Sequence, residues 1–167
     1  SVEEILDSIK KVIARDNRDA IIADRRRKSA PVGTPEPADE EEAEEVLRSA
    51  LKRGYDSRLA RFYGVLRGAD PARQLQTAEL WLKQHPQDPA LLLTLGRLCL
   101  QNQLWGKARD YFESSLKLER HPETCAELAR LLAQLGELER SNQLLLESLG
   151  LLHQGLPPLP QPQGANA

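Results

Sequence analysis

The chain has 167 residues, 29% of them charged and 40% hydrophobic, with a formal net charge of −2, a composition typical of water-soluble chains with room for one ordinary domain and a tail or two. No apolar run approaches the roughly twenty residues that a bilayer crossing requires, so no membrane span is expected. The charge is uneven, 8 Lys/Arg against 13 Asp/Glu over residues 1–45 (net −5) and 15 against 12 over residues 46–167 (net +3), and neither balance is that of a nucleic-acid binder.

The opening "SVEEILDSIKKVIARD" places Val2, Ile5, Leu6, Ile9, Val12 and Ile13 at the i, i+3, i+4, i+7 spacing of one helical stripe. Ser1 and Glu4 form a capping box. Glu3, Glu4 and Asp7 complement the positive end of the helix dipole, and Lys10, Lys11 and Arg15 the negative end. "NRDAIIADRRRK" carries the pattern on to about Lys28, giving a recognition helix over 1–28. Its basic run, Arg25 to Lys28, reads as a solvated tail rather than a phosphate grip. The start is charged and amphipathic and lacks the basic end and apolar core of a secretory signal, so a cytoplasmic location is expected. A helix of this length is marginal alone in water, so its stripe needs a partner. Three readings stand open: it docks a client protein, it folds back to cap its own chain, or it pairs with a second copy.

Residues 29–41 read as a linker. Pro31, Pro35 and Pro37 favour extended backbone, and the acidic residues Asp39, Glu40, Glu41, Glu42, Glu44 and Glu45 repel one another. A helical body is expected over 42–152. In "EEAEEVLRSALKRGYD", Ala43, Val46, Leu47, Ala50 and Leu51 have helical spacing up to Gly54. "RLARFYGVLRG" fits either a short helix or an extended segment. "DPARQLQTAELWLKQHP" is a helix that Asp70 caps and Pro71 opens, with Leu75, Ala78, Trp81 and Leu82 on its face.

The decisive feature is an internal repeat. "PALLLTLGRLCLQNQLWGKARDYFESSLKLERH" from Pro89 aligns with "PETCAELARLLAQLGELERSNQLLLESL" from Pro122 at an offset of 33. Leu92 falls on Cys125, Leu95 on Leu128, Gly96 on Ala129, Cys99 on Leu132, Ala108 on Ser141 and Phe112 on Leu145. Each copy divides into two helices, with a small residue where they would cross. The fold class is therefore all-α, a short tetratricopeptide-like array of about two and a half repeats behind an N-terminal amphipathic helix on a disordered linker. Leu92, Leu95, Gly96, Ala108, Phe112, Leu128 and Ala129 are expected to pack the repeats, as are Leu93, Leu100 and Leu131. Thr94, Arg97, Gln101, Glu127, Arg130 and Gln134 line a concave groove, or else are solvated faces. Residues 153–167 form a Pro-rich disordered tail, with Leu151, Leu152 and Leu156 available to cover the last helix pair.

Catalysis is not expected. There is no Gly-rich phosphate loop, no Ser or Cys beside a candidate base and no His-x-x-x-His, and the carboxylates concentrate in the linker. Cys99 and Cys125 read as core thiols, and the scattered His85, His121 and His153 do not form a metal site. No cofactor or metal is expected, although haem ligation through His121 or His153 is worth a titration.

From about Leu47 onward, "LKRGYDSRLARFYG", "DPARQLQTAELWLKQHP" and "LLLTLGRLCLQNQLWGKARDYFESSL" resemble the C-terminal tetratricopeptide region of the bacterial HemY family, the haem-biosynthesis-associated membrane protein. The resemblance covers residues 47–155. It implies a cytoplasmic scaffold linked to late porphyrin and haem synthesis through contacts with that pathway's enzymes, while the family's membrane hairpin has no counterpart here. Over residues 1–46, "SVEEILDSIKKVIARDN" and "EEEAEEVL" look like the N-terminal part of PopZ-like polar organising proteins. That resemblance implies a client-docking helix ahead of an acidic spacer, without the oligomerising C-terminal helices. The join near Glu45 to Arg48 looks like a fusion. Sequence alone expects an adaptor that binds proteins and leaves the oligomeric state open.

Overall fold

Eight helices and no strand make up the described residues, 1–27, 38–152 and 157–162, of the computed structural model. They are α1 (Val2–Arg27), α2 (Ala38–Arg53), α3 (Ser57–Tyr63), α4 (Pro71–Gln84), α5 (Pro89–Gln101), α6 (Trp105–Leu118), α7 (Pro122–Gln134) and α8 (Leu138–Leu152). They divide into two compact units, Ser1–Glu119 with α1 to α6 and Arg120–Ala167 with α7 and α8. The fold is an all-α helical-repeat architecture with an added N-terminal helix.

The expected linker overlaps α2, which begins at Ala38 rather than near Glu42. Glutamates 40 to 45 repel one another, but they occupy the first turns of α2, where the exposed N–H groups and the helix dipole favour negative charge. The rest of the expected linker, 29–37, lies outside the described residues, as do Lys28 of the expected helix and 153–156 and 163–167 of the tail, which include His153 and Leu156.

The ambiguous segment "RLARFYGVLRG" contains a short helix, α3. Asp56, Asp88 and His121 stand just before α3, α5 and α7, and each accepts a hydrogen bond from the backbone N–H two residues on, at 2.8, 2.9 and 3.2 Å. These side-chain caps satisfy donors that the first helical turn leaves open. They mark three starts at nearly equal spacing, so α3 and α4 stand where an earlier copy would, but both pack on α5 rather than on each other as α5 does on α6 and α7 on α8.

Recurrence at 33 residues extends to individual atoms. Ser115 Oγ donates to the Pro89 carbonyl at 2.8 Å, and Ser148 Oγ to the Pro122 carbonyl at 2.9 Å. Leu104 N–H bonds the Cys99 carbonyl and Glu137 N–H the Leu132 carbonyl, both at 2.9 Å. In the inter-helix turns, Gln103 has φ +59° and Gly136 has φ +84°, a left-handed conformation that is strained for any residue with a Cβ. One copy meets this turn with glycine, and the other accepts the strain.

All the expected packing residues are buried: Leu92, Leu95, Gly96, Ala108, Phe112, Leu128 and Ala129. Leu93 and Leu131 are buried with them, and Leu100 is half-buried. Gly96 shows why size matters at the crossing of α5 and α6. A Cβ placed there would lie 2.3 Å from Cε1 of the fully buried Phe112 ring. Gly64, just past α3, meets α5 in the same way, with its missing Cβ 2.9 Å from Thr94 Cα.

Gly96→Ala should therefore lower stability by about 1–3 kcal/mol in urea titration, the usual cost of overpacking a dense core. Gly106, which has open space around it, provides the control, since Gly106→Ala should be neutral or stabilising by up to about 1 kcal/mol. Gly136→Ala should cost about 1 kcal/mol. Equal unfolding midpoints for the alanine variants at 96 and 106 would show that α5 and α6 do not cross this closely.

Candidate interaction surfaces

The apolar stripe of α1 lies against the chain's own α2 and α3. Leu6 and Ile9 are buried, and Val2, Ile5, Val12 and Ile13 are half-buried. Ser1 caps the helix, accepting from Glu4 N–H at 3.4 Å, while the Glu4 carboxylate takes the Ser1 amino group at 3.3 Å. Glu3 pairs with Arg58 of α3 at 2.8 Å, in an exposed position where the pair contributes little. Of the three readings of this helix, folding back is the arrangement observed. In that arrangement a client protein cannot touch Leu6 or Ile9 until α1 detaches.

The expected groove is only partly formed. Thr94 does not face it: the residue is fully buried, and its hydroxyl bonds the carbonyls of Ala60 and, at 3.2 Å, Arg61. Gln101 is half-buried, and its amide donates to the Gly64 carbonyl at 3.2 Å. Arg97 is half-buried. These three residues lie on the side of α5 that packs on α3, where a polar side chain ties one copy to the one before it. In the second unit, Glu127 is half-buried with its carboxylate 3.8 Å from Arg130, and Arg130 and Gln134 are exposed. Side-chain polarity points to solvent, whereas at Thr94 and Gln101 it serves to satisfy helix-end carbonyls that would otherwise be buried without partners.

Several polar contacts, some buried and some exposed, carry no signal that sequence patterning could detect. Tyr63, fully buried at the end of α3, donates to Glu44 of α2 at 2.6 Å. Gln74 of α4 is 2% exposed, and its amide bonds the carbonyls of Tyr63 and Leu66 at 2.8 and 2.9 Å. Its carbonyl in turn accepts from Gly68 N–H at 3.1 Å. Asp88 caps α5 and also accepts from Tyr55 and, at 2.9 Å, from Ser57. Glu79 of α4 binds both Lys107 and Tyr111 of α6. In the second unit, Arg120 grips Glu147 in a bidentate pair at 2.7 and 2.6 Å, which holds the Glu147 carboxyl below its usual range.

A cleft of about 360 Å³ beside α2 is lined by charged side chains of both signs, among them Glu41, Glu42, Arg48, Asp70 and Arg73. Cys99 and Cys125 are buried free thiols, and burial pushes Cys99 up to about 11 and Cys125 upward, away from the reactive thiolate. His85 stacks flat on Tyr55 at 3.7 Å, and His121 spends Nδ1 on its cap. Among the described residues no cluster of three His, Cys, Asp or Glu side chains could hold a metal ion, and no helix is long and apolar enough to cross a membrane.

Open apolar surface concentrates on α8, where Leu138, Leu145, Leu146, Leu149 and Leu152 are 61, 42, 69, 51 and 62% exposed. The expectation that Leu152 covers the last helix pair is not met, and Leu151 is only half-buried. The described part of the tail is also exposed, with Leu159 at 90%.

Burial and the carboxylates beside them raise the phenols of Tyr55, Tyr63 and Tyr111, and burial raises Cys99. Acids raised by folding bind their protons more tightly in the native state. Their contribution is therefore complete below the unfolded values, about 8.5 for Cys and 10 for Tyr, and is lost as pH climbs through the folded ones. Urea midpoints should be flat from about pH 6 to 8 and fall steadily above about 9. Tyr63→Phe should cost about 1–3 kcal/mol at pH 7, by removing the hydroxyl that donates to the buried Glu44 carboxylate, and should make the alkaline decline shallower. A decline of unchanged slope in Tyr63→Phe would remove Tyr63 from this account. No model of a known protein family matches the chain, and no curated protein is similar to it at a significant level.

Proposed function

We propose that the chain is a non-catalytic protein–protein interaction scaffold. The observation that carries this reading is the recurrence of one helix hairpin, with the same caps, turn and serine clamp in α5–α6 and α7–α8. Repeated hairpins present long, side-chain-rich faces to other proteins. The resemblance to the HemY family favours enzymes of late porphyrin and haem synthesis as the proteins held, and a cytoplasmic site at the inner-membrane face reached by association. Arg130 and Gln134 are the exposed members of the candidate groove.

A second reading, a polar-organising adaptor of PopZ-like type, is favoured by α1. Its stripe is that of a docking helix, and only residues 28–37 tether it to α2. Capture from bacterial lysate by the full chain, compared with Leu6→Glu/Ile9→Glu, separates the two. The double substitution places charge at two buried positions and should release α1. Retention of porphyrin-pathway enzymes such as ferrochelatase by both chains supports the first reading, with partner binding residing outside α1. Partners that appear or disappear only when α1 is released support the second. Failure of both chains to retain any specific protein overturns the scaffold reading. Titration with hemin should leave the visible spectrum that of free hemin, and a Soret shift would return haem to consideration.

A further inference from the structure

α1 is held lightly to the helices it lies on. Two of its six stripe residues, Leu6 and Ile9, are buried and the other four are half-buried, whereas α5 buries nine of its thirteen residues. Its polar contact with α3, Glu3 to Arg58, is exposed, and Arg58 has two further bonds to Asp56, at 3.2 and 3.0 Å, that do not involve α1. The helices beneath are joined by other means. Tyr63 of α3 donates to Glu44 of α2 at 2.6 Å, and its ring stands edge-on to Trp81 of α4 at 4.8 Å. Glu44 also packs on the α3–α4 connection, where a Cβ on Gly68 would lie 3.2 Å from Glu44 Cγ. These contacts seat α2 with no atom of α1 taking part. α1 in turn carries its own end signals, with Ser1 accepting from Glu4 N–H, so nothing in its first turn depends on α2 or α3.

We propose that the face of α2 and α3 is a helix-docking surface, that α1 is its resident pseudo-ligand, and that the partner it fits is an amphipathic helix that displaces α1. The partner has apolar residues at the spacing of Leu6, Ile9 and Ile13, and a carboxylate in its first turn to take Arg58 as Glu3 does. The contact is autoinhibitory on both sides, since a seated α1 closes its own stripe and the face beneath it together. Residues 28–37 tether α1 to α2, and a tether of that length gives an effective concentration on the order of millimolar. A partner therefore binds with an apparent affinity reduced by the fraction of chains in which α1 is seated. The inference rests on the scaffold reading and deepens it, naming one face and the class of helix it takes.

Fluorescence anisotropy with a labelled peptide of residues 1–16 tests the displacement, on the full chain and on Leu6→Glu/Ile9→Glu. The substituted chain should bind the peptide at least about ten-fold more tightly than the unaltered chain, whose own α1 competes. A peptide carrying the same two substitutions should bind neither chain, and Glu3→Lys in the peptide should weaken binding by about two- to five-fold. Equal affinity for the two chains, or no binding to the substituted one, overturns the proposal. Hydrogen exchange on the unaltered chain tests the same point without a substitution. Amides of Ile9 to Ile13 should exchange at least about ten-fold faster than those of Leu47 to Leu51, because α1 opens while α2 stays seated. Equal protection would show that α1 leaves together with α2, which also overturns the proposal. Peptide binding to the substituted chain, with no protein captured from lysate by either chain, supports the docking surface and counts against the scaffold reading. Capture of the same proteins by both chains without peptide binding does the reverse.

Discussion

α5 is the element on which the first unit depends. From Ala90 to Cys99 every residue except Arg97 is buried, so this helix has no solvated side to speak of and must be covered on several faces at once. It packs against α3, α4 and α6. Covering one helix from three directions forces close backbone approaches, and the sequence supplies them with Gly96 toward α6 and Gly64 at the end of α3. α3 is short for the same reason. Its last residue, Tyr63, is followed by a glycine whose position against Thr94 leaves no room for another side-chain-bearing turn.

Dense packing around α5 strands backbone carbonyls at the helix ends, and the buried polar residues answer to that. Gln74 takes two carbonyls from the α3–α4 connection, and Thr94 takes two from the last turn of α3. Left unpaired, each carbonyl would cost about 1–3 kcal/mol. Glu44 is a different case, a carboxylate 7% exposed whose partner is the Tyr63 hydroxyl, with Arg48 3.9 Å away. The contact joins α2 to α3, and so fixes the platform on which α1 lies.

The fold is largely legible in the sequence because its signals are periodic. Helical spacing locates α4 to α8, and the offset of 33 pairs Gly96 with Ala129 and Phe112 with Leu145. Two features are hidden. α3 has only seven residues, too few for periodicity to separate helix from strand. The acidic run reads as mutual repulsion, while the opposing attraction of a helix N-terminus acts on the same residues and prevails from Ala38 onward. The candidate site is less legible. Polar residues on a repeat's first helix read as groove-lining, yet Thr94 and Gln101 face α3, and only the position of that neighbour decides whether such a residue meets solvent or a carbonyl. The stripe of α1 is legible as a stripe, but amphipathicity records that a helix has a partner and not which one.

The two units treat their apolar faces differently. In the first, α1 lies over α2 and α3, Leu6, Ile9, Leu47 and Leu59 are all buried, and among the described side chains of those helices Val46, at 43%, is the most exposed large apolar one. In the second, the hairpin closes its own interior completely: Leu128 and Leu132 are fully buried, Ser141 bonds the Ala129 carbonyl at 2.7 Å, and Ser148 bonds Pro122. Five leucines nevertheless remain open on the outer side of α8. The hairpin needs none of them for its interior, since Ser141, Leu144 and Ser148 fill that side of the helix. A leucine that contributes nothing to its own fold is a liability for aggregation unless something covers it. All five sit on one helix, outside the side that Ser141, Leu144 and Ser148 turn toward the hairpin interior.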